Sequence, residues 1–295
     1  MKHSPSPNSL SLAPLGAEGL LPAGAVAREV ERHRAGAVAR VRDAVAEEIP
    51  VALVYNGRPH AVMMATPADY EDFALGFSLS EAIIDQPVQC EKVEKVEALA
   101  GVELHLAIPA SKAALIEQRA RELTGRSGCG LCGTPTLDAA VRHPPPVADS
   151  ATINEDALQC ALAALTARQT LSAATGAVHA AAWANSDGEI VLLREDVGRH
   201  NALDKLIGAM ARAQIDPRGG FAIITSRASF EMVMKAATVG IGFLAAISAP
   251  TALAIALARE SNVTLIGFAR ADGYAIYAHA QRLRRVEPGA RGIAS

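Results

Sequence analysis

Aromatic side chains are scarce, with six Phe, four Tyr and one Trp in 295 residues. Cysteine is scarcer still, at Cys90, Cys129, Cys132 and Cys160 only. Four unevenly spaced thiols are too few for a disulfide scaffold or for several iron–sulfur clusters. No excess of one charge exists either: 28 Lys+Arg stand against 31 Asp+Glu, a formal net charge of -3. Without a cationic surplus, broad binding to a phosphate backbone is excluded, so no nucleic-acid partner is expected. What is abundant is apolar residue, half of the chain. That rules out a disordered protein and provides core for one large domain or two modest ones.

The residues between Ala236 and Ala258 include no charged side chain, long enough on a window count to span a bilayer. Gly240, Gly242 and Pro250 interrupt that run, and Pro250 suits the first turn of a helix. The better reading is a buried strand over 242–248 followed by a buried helix over 250–259, with no membrane partner. The first residues lack the clean apolar core of a secretory signal, and the Leu-rich stretch after them is broken by Pro14, Gly16 and Glu18. Residues 1–25 are expected to be a mobile tail of a cytoplasmic protein.

Residues 26–124 read as a small α+β domain. Apolar runs over 49–55 and 60–65 flank Asn56-Gly57, a pair that takes the positive φ values of a tight hairpin turn. Thr66-Pro67-Ala68-Asp69 looks like a cap with proline at the first helical position, opening a helix through Phe73, Phe77 and Ile83. A strand over 102–108 and a helix from Ser111 to Leu123 complete the domain. The texture then changes: residues 125–148 hold a Gly-rich loop around Cys129 and Cys132, closed by His143-Pro144-Pro145-Pro146. Such loops are where reactive groups are often mounted on a rigid scaffold.

Residues 149–295 alternate. Thr152-Ile153-Asn154-Glu155 has the pattern of a capping box before a helix to about Arg168. Strands over 177–184, 189–194, 221–225, 242–247 and 263–268 are spaced by helices over 200–213, 229–239 and 250–259. That order predicts a largely parallel sheet covered on both faces, an α/β domain. Cys160 falls in the first helix and reads as a small core residue.

In such sheets ligands sit beyond the carboxyl ends of the strands, against helix N-termini. Those ends carry Glu195-Asp196-Val197-Gly198-Arg199-His200, Thr225-Ser226-Arg227, Ser248-Ala249-Pro250-Thr251 and Phe268-Ala269-Arg270-Ala271-Asp272-Gly273. Arginine forks suit phosphates and carboxylates suit ribose hydroxyls or a guanine edge, which makes a nucleotide-bearing ligand the natural candidate. Each residue taken singly is as well explained as a helix cap or a surface arginine. Their recurrence at four crossings is what favours a site.

Three readings compete for Cys129 and Cys132. A zinc site needs further ligands, and no second Cys-x-x-Cys or close His pair is present. A zinc deaminase would carry His-x-Glu ahead of Pro-Cys-x-x-Cys, which is missing. A thioredoxin-like dithiol would sit between a strand and its helix, whereas here glycines flank the pair and Pro135 follows. The third reading is a persulfide carrier, whose thiolate must be ionised near neutral pH and must reach two partners. Arg126 is close enough in sequence to favour that ionisation.

At this point the sequence resembles the formate dehydrogenase accessory sulfurtransferases (FdhD family) over nearly the whole chain after the tail. The resemblance rests on Asn56-Gly57 followed by Thr66-Pro67, on Gly76-Phe77 with Glu81-Ala82-Ile83-Ile84, and on Cys129-Gly130-Leu131-Cys132-Gly133. It continues through Thr175 to Ala181, Glu195 to Lys205, Ser226 to Ala236 and Gly267 to Arg270. It implies a cytidine-deaminase-like three-layer C-terminal domain. It also implies a carrier that accepts sulfur from a cysteine desulfurase and passes it to the molybdenum cofactor, a bis(molybdopterin guanine dinucleotide), before insertion into formate dehydrogenase. Cys129 then matches the persulfide-bearing cysteine and Cys132 its partner, while Phe268, Ala269, Arg270, Ala271, Asp272 and Gly273 match the cofactor-binding segment.

Arg199, Arg227 and Arg270 are the expected phosphate contacts. His179 and His200 would orient the ligand or tune a thiol, or be structural. Glu195 and Asp196 would bind a sugar or guanine edge, or cap the following helix. No tightly held metal is expected, and a homodimer is the default assembly. The alternatives are a non-catalytic chaperone that only hands over the cofactor, and a nucleotide hydrolase or deaminase.

Overall fold

A computed structural model describes residues 21–123 and 143–285. The chain begins with a two-stranded ribbon, β1 (Ala25–Arg34) and β2 (Ala37–Ala46), that the sequence reading left unassigned. A four-stranded sheet follows, built from β3 (Ile49–Tyr55), β4 (Arg58–Ala65), β5 (Lys92–Ala98) and β6 (Gly101–Ala107), in the order β4-β3-β6-β5. Asn56 and Gly57 both take positive φ, 48° and 79°, as the expected hairpin turn requires.

Helix α1 (Tyr70–Ser80) covers this sheet, its Phe73 and Phe77 packing on Val51, Leu53 and Leu104. It starts later than Thr66-Pro67 suggests. Asp69, at φ 55°, precedes it, and Thr66 is drawn away from the cap role. The Thr66 hydroxyl accepts from the Val197 N–H and its own N–H donates to Asp196. Helix α2 (Ala110–Leu123) ends this part of the chain.

Past residue 142, β7 (Ile153–Asn154) leads into α3 (Glu155–Arg168) and α4 (Thr170–Thr175). The capping box at Thr152 does not form. Ile153 and Asn154 pair instead with a terminal strand, β14 (Leu283–Arg284), and the Asn154 side chain makes no cap bond. Cys160 is exposed on α3 rather than buried, because Ala157, Leu158, Ala161 and Leu165 take the core-facing positions.

The remaining strands are β8 (His179–Asn185), β9 (Ile190–Asp196), β10 (Gly220–Ile224), β11 (Phe243–Ala246), β12 (Thr264–Arg270) and β13 (Gly273–Ala278). They form a six-stranded sheet in the order β13-β12-β11-β10-β8-β9. Only β10–β11 and β11–β12 run parallel, so the expectation of a largely parallel sheet is corrected. The reason is the short turns over 186–189 and at Ala271-Asp272, which can join only antiparallel neighbours.

Helices α5 (Arg199–Arg212), α6 (Phe230–Thr238) and α7 (Ala252–Glu260) cover one face of the sheet and α3 the other, giving three layers. The uncharged run is thus β11 plus α7. Pro250 stands just before α7 rather than in its first turn, and Thr251 caps the helix, its hydroxyl accepting from the Ala254 N–H. Among the described residues no helix is long and apolar enough to cross a membrane.

Polar side chains lock the two halves together. Asp72 of α1 accepts from Arg194 of β9 at 2.8 Å and from Arg212 of α5 at 2.7 Å. Lys205 of α5 reaches Asp196 at 2.7 Å and donates to the Thr66 carbonyl. Lys235 of α6 lies 2.9 Å from Asp204, 3.0 Å from the Ser80 hydroxyl and 2.8 Å from Glu81. The N-terminal sheet and α1 are therefore fixed against the helices that end at the second sheet's edge.

Candidate functional site

The strand register brings all four expected segments to one edge of the six-stranded sheet. Ala246 of β11 pairs with Ile224 of β10, which in turn pairs with Ala181 of β8. His179 at the start of β8 lies opposite Asp196 at the end of β9. The Thr225 hydroxyl, one residue past β10, accepts from the Ala180 N–H. On the other side the Phe268 N–H donates to the Ser248 carbonyl, so the end of β12 is tied to the end of β11. The N-termini of α5, α6 and α7 open on this edge, and each contributes positive potential there.

Within the Phe268–Gly273 segment the residues are not equivalent. Phe268 holds φ 51° and is 46% exposed, while Ala269 is wholly buried and presents nothing to the edge. Arg270 pairs with Gly273 across a tight turn that leaves Ala271 and Asp272 exposed. Arg227 and Arg270 are both exposed and make no side-chain hydrogen bond or ion pair among the described residues. Their guanidinium forks are available to an anion.

Arg199, His200 and His179 gather on the opposite side of the edge, all half-buried. Burial holds the His179 imidazole below its ordinary value near 6.5; Arg199 and His200 add to this, and Asp196 opposes it. His200 Nε2 stands 2.8 Å from Glu231 Oε2, a charge contact off the ring's N–H direction that leaves the nitrogen without an in-line hydrogen bond. That contact holds the Glu231 carboxyl below the usual carboxylate range. Glu231 was absent from the sequence reading, since nothing in its spacing marks it as a partner of His200.

Glu195 and Asp196, whose role the sequence left open, are structural. Glu195 accepts from the Leu171 and Ser172 N–H groups at 2.8 Å each, at the start of α4. Asp196 is fully buried on Lys205, Asn201 and the Thr66 and Gly198 N–H groups, so neither oxygen is left for a ligand. Cys129, Cys132 and Arg126 lie outside the described residues. Among the described residues no cluster of three His, Cys, Asp or Glu could hold a metal ion.

A model of the FdhD/NarQ family matches residues 46–284. The chain is similar to the Sulfur carrier protein FdhD of Xanthomonas euvesicatoria, 56% identical over 278 residues, covering 94% of this chain and 96% of the relative. The protein of that name in Xanthomonas campestris is 58% identical over 260 residues, covering 88% and 92%. The one in Bordetella petrii is 52% identical over 257 residues, covering 86% and 92%. The fold is similar to the crystal structure of a candidate formate dehydrogenase accessory protein from Desulfotalea psychrophila. The TM-score is 0.68 at 22% identity, covering 88% of this chain and 99% of that one.

Proposed function

The chain belongs to the FdhD/NarQ family, and from that premise we propose that it is a sulfur carrier serving formate dehydrogenase. Sulfur arrives from a cysteine desulfurase and leaves for the molybdenum cofactor, a bis(molybdopterin guanine dinucleotide) that is cargo rather than a resident group. The names of the relatives support the carrier role. The observation that carries the cofactor half of the reading is that Arg199, Arg227 and Arg270 are spread along one sheet edge beside three helix N-termini. Guanine nucleotide tails present the pyrophosphate oxygens that such an edge suits.

In this reading the Cys129 thiolate attacks the terminal sulfur of the donor's persulfide. A new S–S bond forms on Cys129, the donor's S–S bond breaks, and the donor leaves as a thiolate. Cys132 then attacks Cys129 Sγ, giving a Cys129–Cys132 disulfide and releasing the terminal sulfur as hydrosulfide toward the cofactor. The two electrons that reduce the sulfur come from the two cysteines. Two copies of the chain form the working assembly, and the site of action is the cytoplasm.

The test is to incubate the full chain with a cysteine desulfurase and free cysteine, and to weigh the intact protein. One reductant-labile sulfur is expected on the wild type and none on Cys129→Ala. Equal loading of both would sink the persulfide mechanism, and an active formate dehydrogenase reconstituted with Cys129→Ala would favour a chaperone.

A further inference from the structure

Thr66 stands immediately after β4 and is wholly buried, so it cannot itself meet a ligand. All three of its polar groups are nevertheless spent on the turn between β9 and α5, or on α5. Its N–H donates to Asp196 Oδ2 at 3.0 Å, its hydroxyl accepts from the Val197 N–H at 3.1 Å, and its carbonyl accepts from Lys205 Nζ at 3.0 Å. Met64, two residues earlier, adds a further tie, its carbonyl accepting from Asn201 Nδ2 at 2.8 Å.

The turn depends on this support from outside. Gly198 occupies the N-cap position of α5 and has no side chain to accept from the helix's first N–H groups. Nor is there room for one, since a Cβ on Gly198 would lie 2.7 Å from Asn201 Nδ2. Within the turn the Gly198 N–H donates to Asp196 Oδ1 at 2.8 Å, and Asp196 is itself held by Thr66 and Lys205. Arg199 and His200 follow directly as the first two residues of α5, so the shape of the turn decides where both stand on the edge.

We infer that Thr66 is a positioning residue for the nucleotide edge: its hydroxyl fixes the Val197 peptide and, through that turn, the stance of Arg199 and His200 toward an anion. It does so from some 130 residues earlier in the chain. Hydrogen bonds from an arginine fork weaken steeply with distance and angle, so a small displacement of the turn is felt in affinity. The inference rests on the nucleotide half of the proposed function and deepens it, because the edge is then completed by the N-terminal half of the chain. The Thr66 methyl group has a separate task. It faces Gly24, where a Cβ would come within 2.3 Å of Thr66 Cγ2, and that contact is packing alone.

Two substitutions separate packing from positioning. Thr66→Ser removes the methyl group and keeps the hydroxyl, whereas Thr66→Val keeps the branched shape and leaves the Val197 N–H without its acceptor. Guanosine diphosphate and inorganic pyrophosphate are titrated calorimetrically into the full chain well below its melting temperature, and thermal unfolding is followed without ligand. Thr66→Ser is expected to melt about 2–4 °C lower than the wild type, as for loss of a buried methyl group. It should still bind both probes within about twofold of the wild type. Thr66→Val is expected to bind both about tenfold more weakly.

If Thr66→Val does not fold, Thr66→Cys, with a weakly accepting sulfur in the hydroxyl's place, takes its part in the comparison. Unaltered affinity in the variant that lacks the hydroxyl overturns the inference and leaves the nucleotide reading standing. Equal weakening in that variant and in Thr66→Ser also overturns it, because binding then follows packing rather than the hydroxyl. Wild-type protein that binds neither probe overturns the nucleotide reading, and the inference with it.

Discussion

Gly76 of α1 and Gly208 of α5 lie where the two helices cross, and neither position has room for a methyl group. A Cβ on Gly76 would sit 1.7 Å from the Asp204 carbonyl oxygen, and one on Gly208 would sit 1.9 Å from that of Asp72. Backbone meets backbone here, so the helices come together more closely than side chains allow. The same crossing places Ser80 and Glu81 against Lys235, and Asp72 against Arg194 and Arg212.

Gly76→Ala or Gly208→Ala is therefore expected to destabilise the protein by about 3 kcal/mol, since the obstructing atoms are backbone and cannot rotate away. Urea unfolding measures it. A loss below about 1 kcal/mol would show that the helices separate easily.

Lys235→Met should be more damaging than its location away from the sheet edge suggests. Its ammonium is nearly buried between Asp204, Glu81 and Ser80, and burial pulls its pKa down while the two carboxylates more than restore it. Removing it strands the fully buried Asp204, at a cost of about 3–5 kcal/mol. The double change Lys235→Met with Asp204→Leu is expected to recover much of that loss, because no buried charge is left over. Equilibrium unfolding of the single and double variants checks both.

Acidification should weaken the edge through His179. Its folded-state pKa is depressed, chiefly by burial and then by Arg199, so the unfolded chain binds the proton first. The contribution to stability is complete above the ordinary value near 6.5 and is lost as pH falls through the folded-state value. Glu231, likewise depressed by His200, acts in the same direction at lower pH. His179→Gln should flatten the first part of this decline in a plot of unfolding free energy against pH. An unchanged slope would show that His179 is not desolvated.

Cysteine reactivity offers a simple check on the fold. In a Cys129→Ala, Cys132→Ala background, iodoacetamide near neutral pH is expected to modify exposed Cys160 well before Cys90. Burial raises the Cys90 thiol's pKa and so depletes the thiolate. Timed intact-mass measurement gives the order, and faster reaction at Cys90 would contradict the packing of the first sheet.

Local sequence determined much of this protein. Asn56-Gly57 dictates its turn because few residues accept two successive positive φ values, and the alternation of apolar runs after residue 149 dictates strands, helices and the edge on which their loops emerge. Glu195 and Asp196 show where that reading stopped. In the chain they stand beside Arg199 and His200 and look equally suited to a ligand, yet Thr66, some 130 positions away, and Lys205 take one Asp196 oxygen while Gly198 and Asn201 take the other. The partnership of His200 with Glu231 was likewise decided only by the tertiary structure. The physical reason is one: periodicity reports which side of an element is apolar, whereas a polar side chain's role depends on which distant donor or acceptor folding delivers to it.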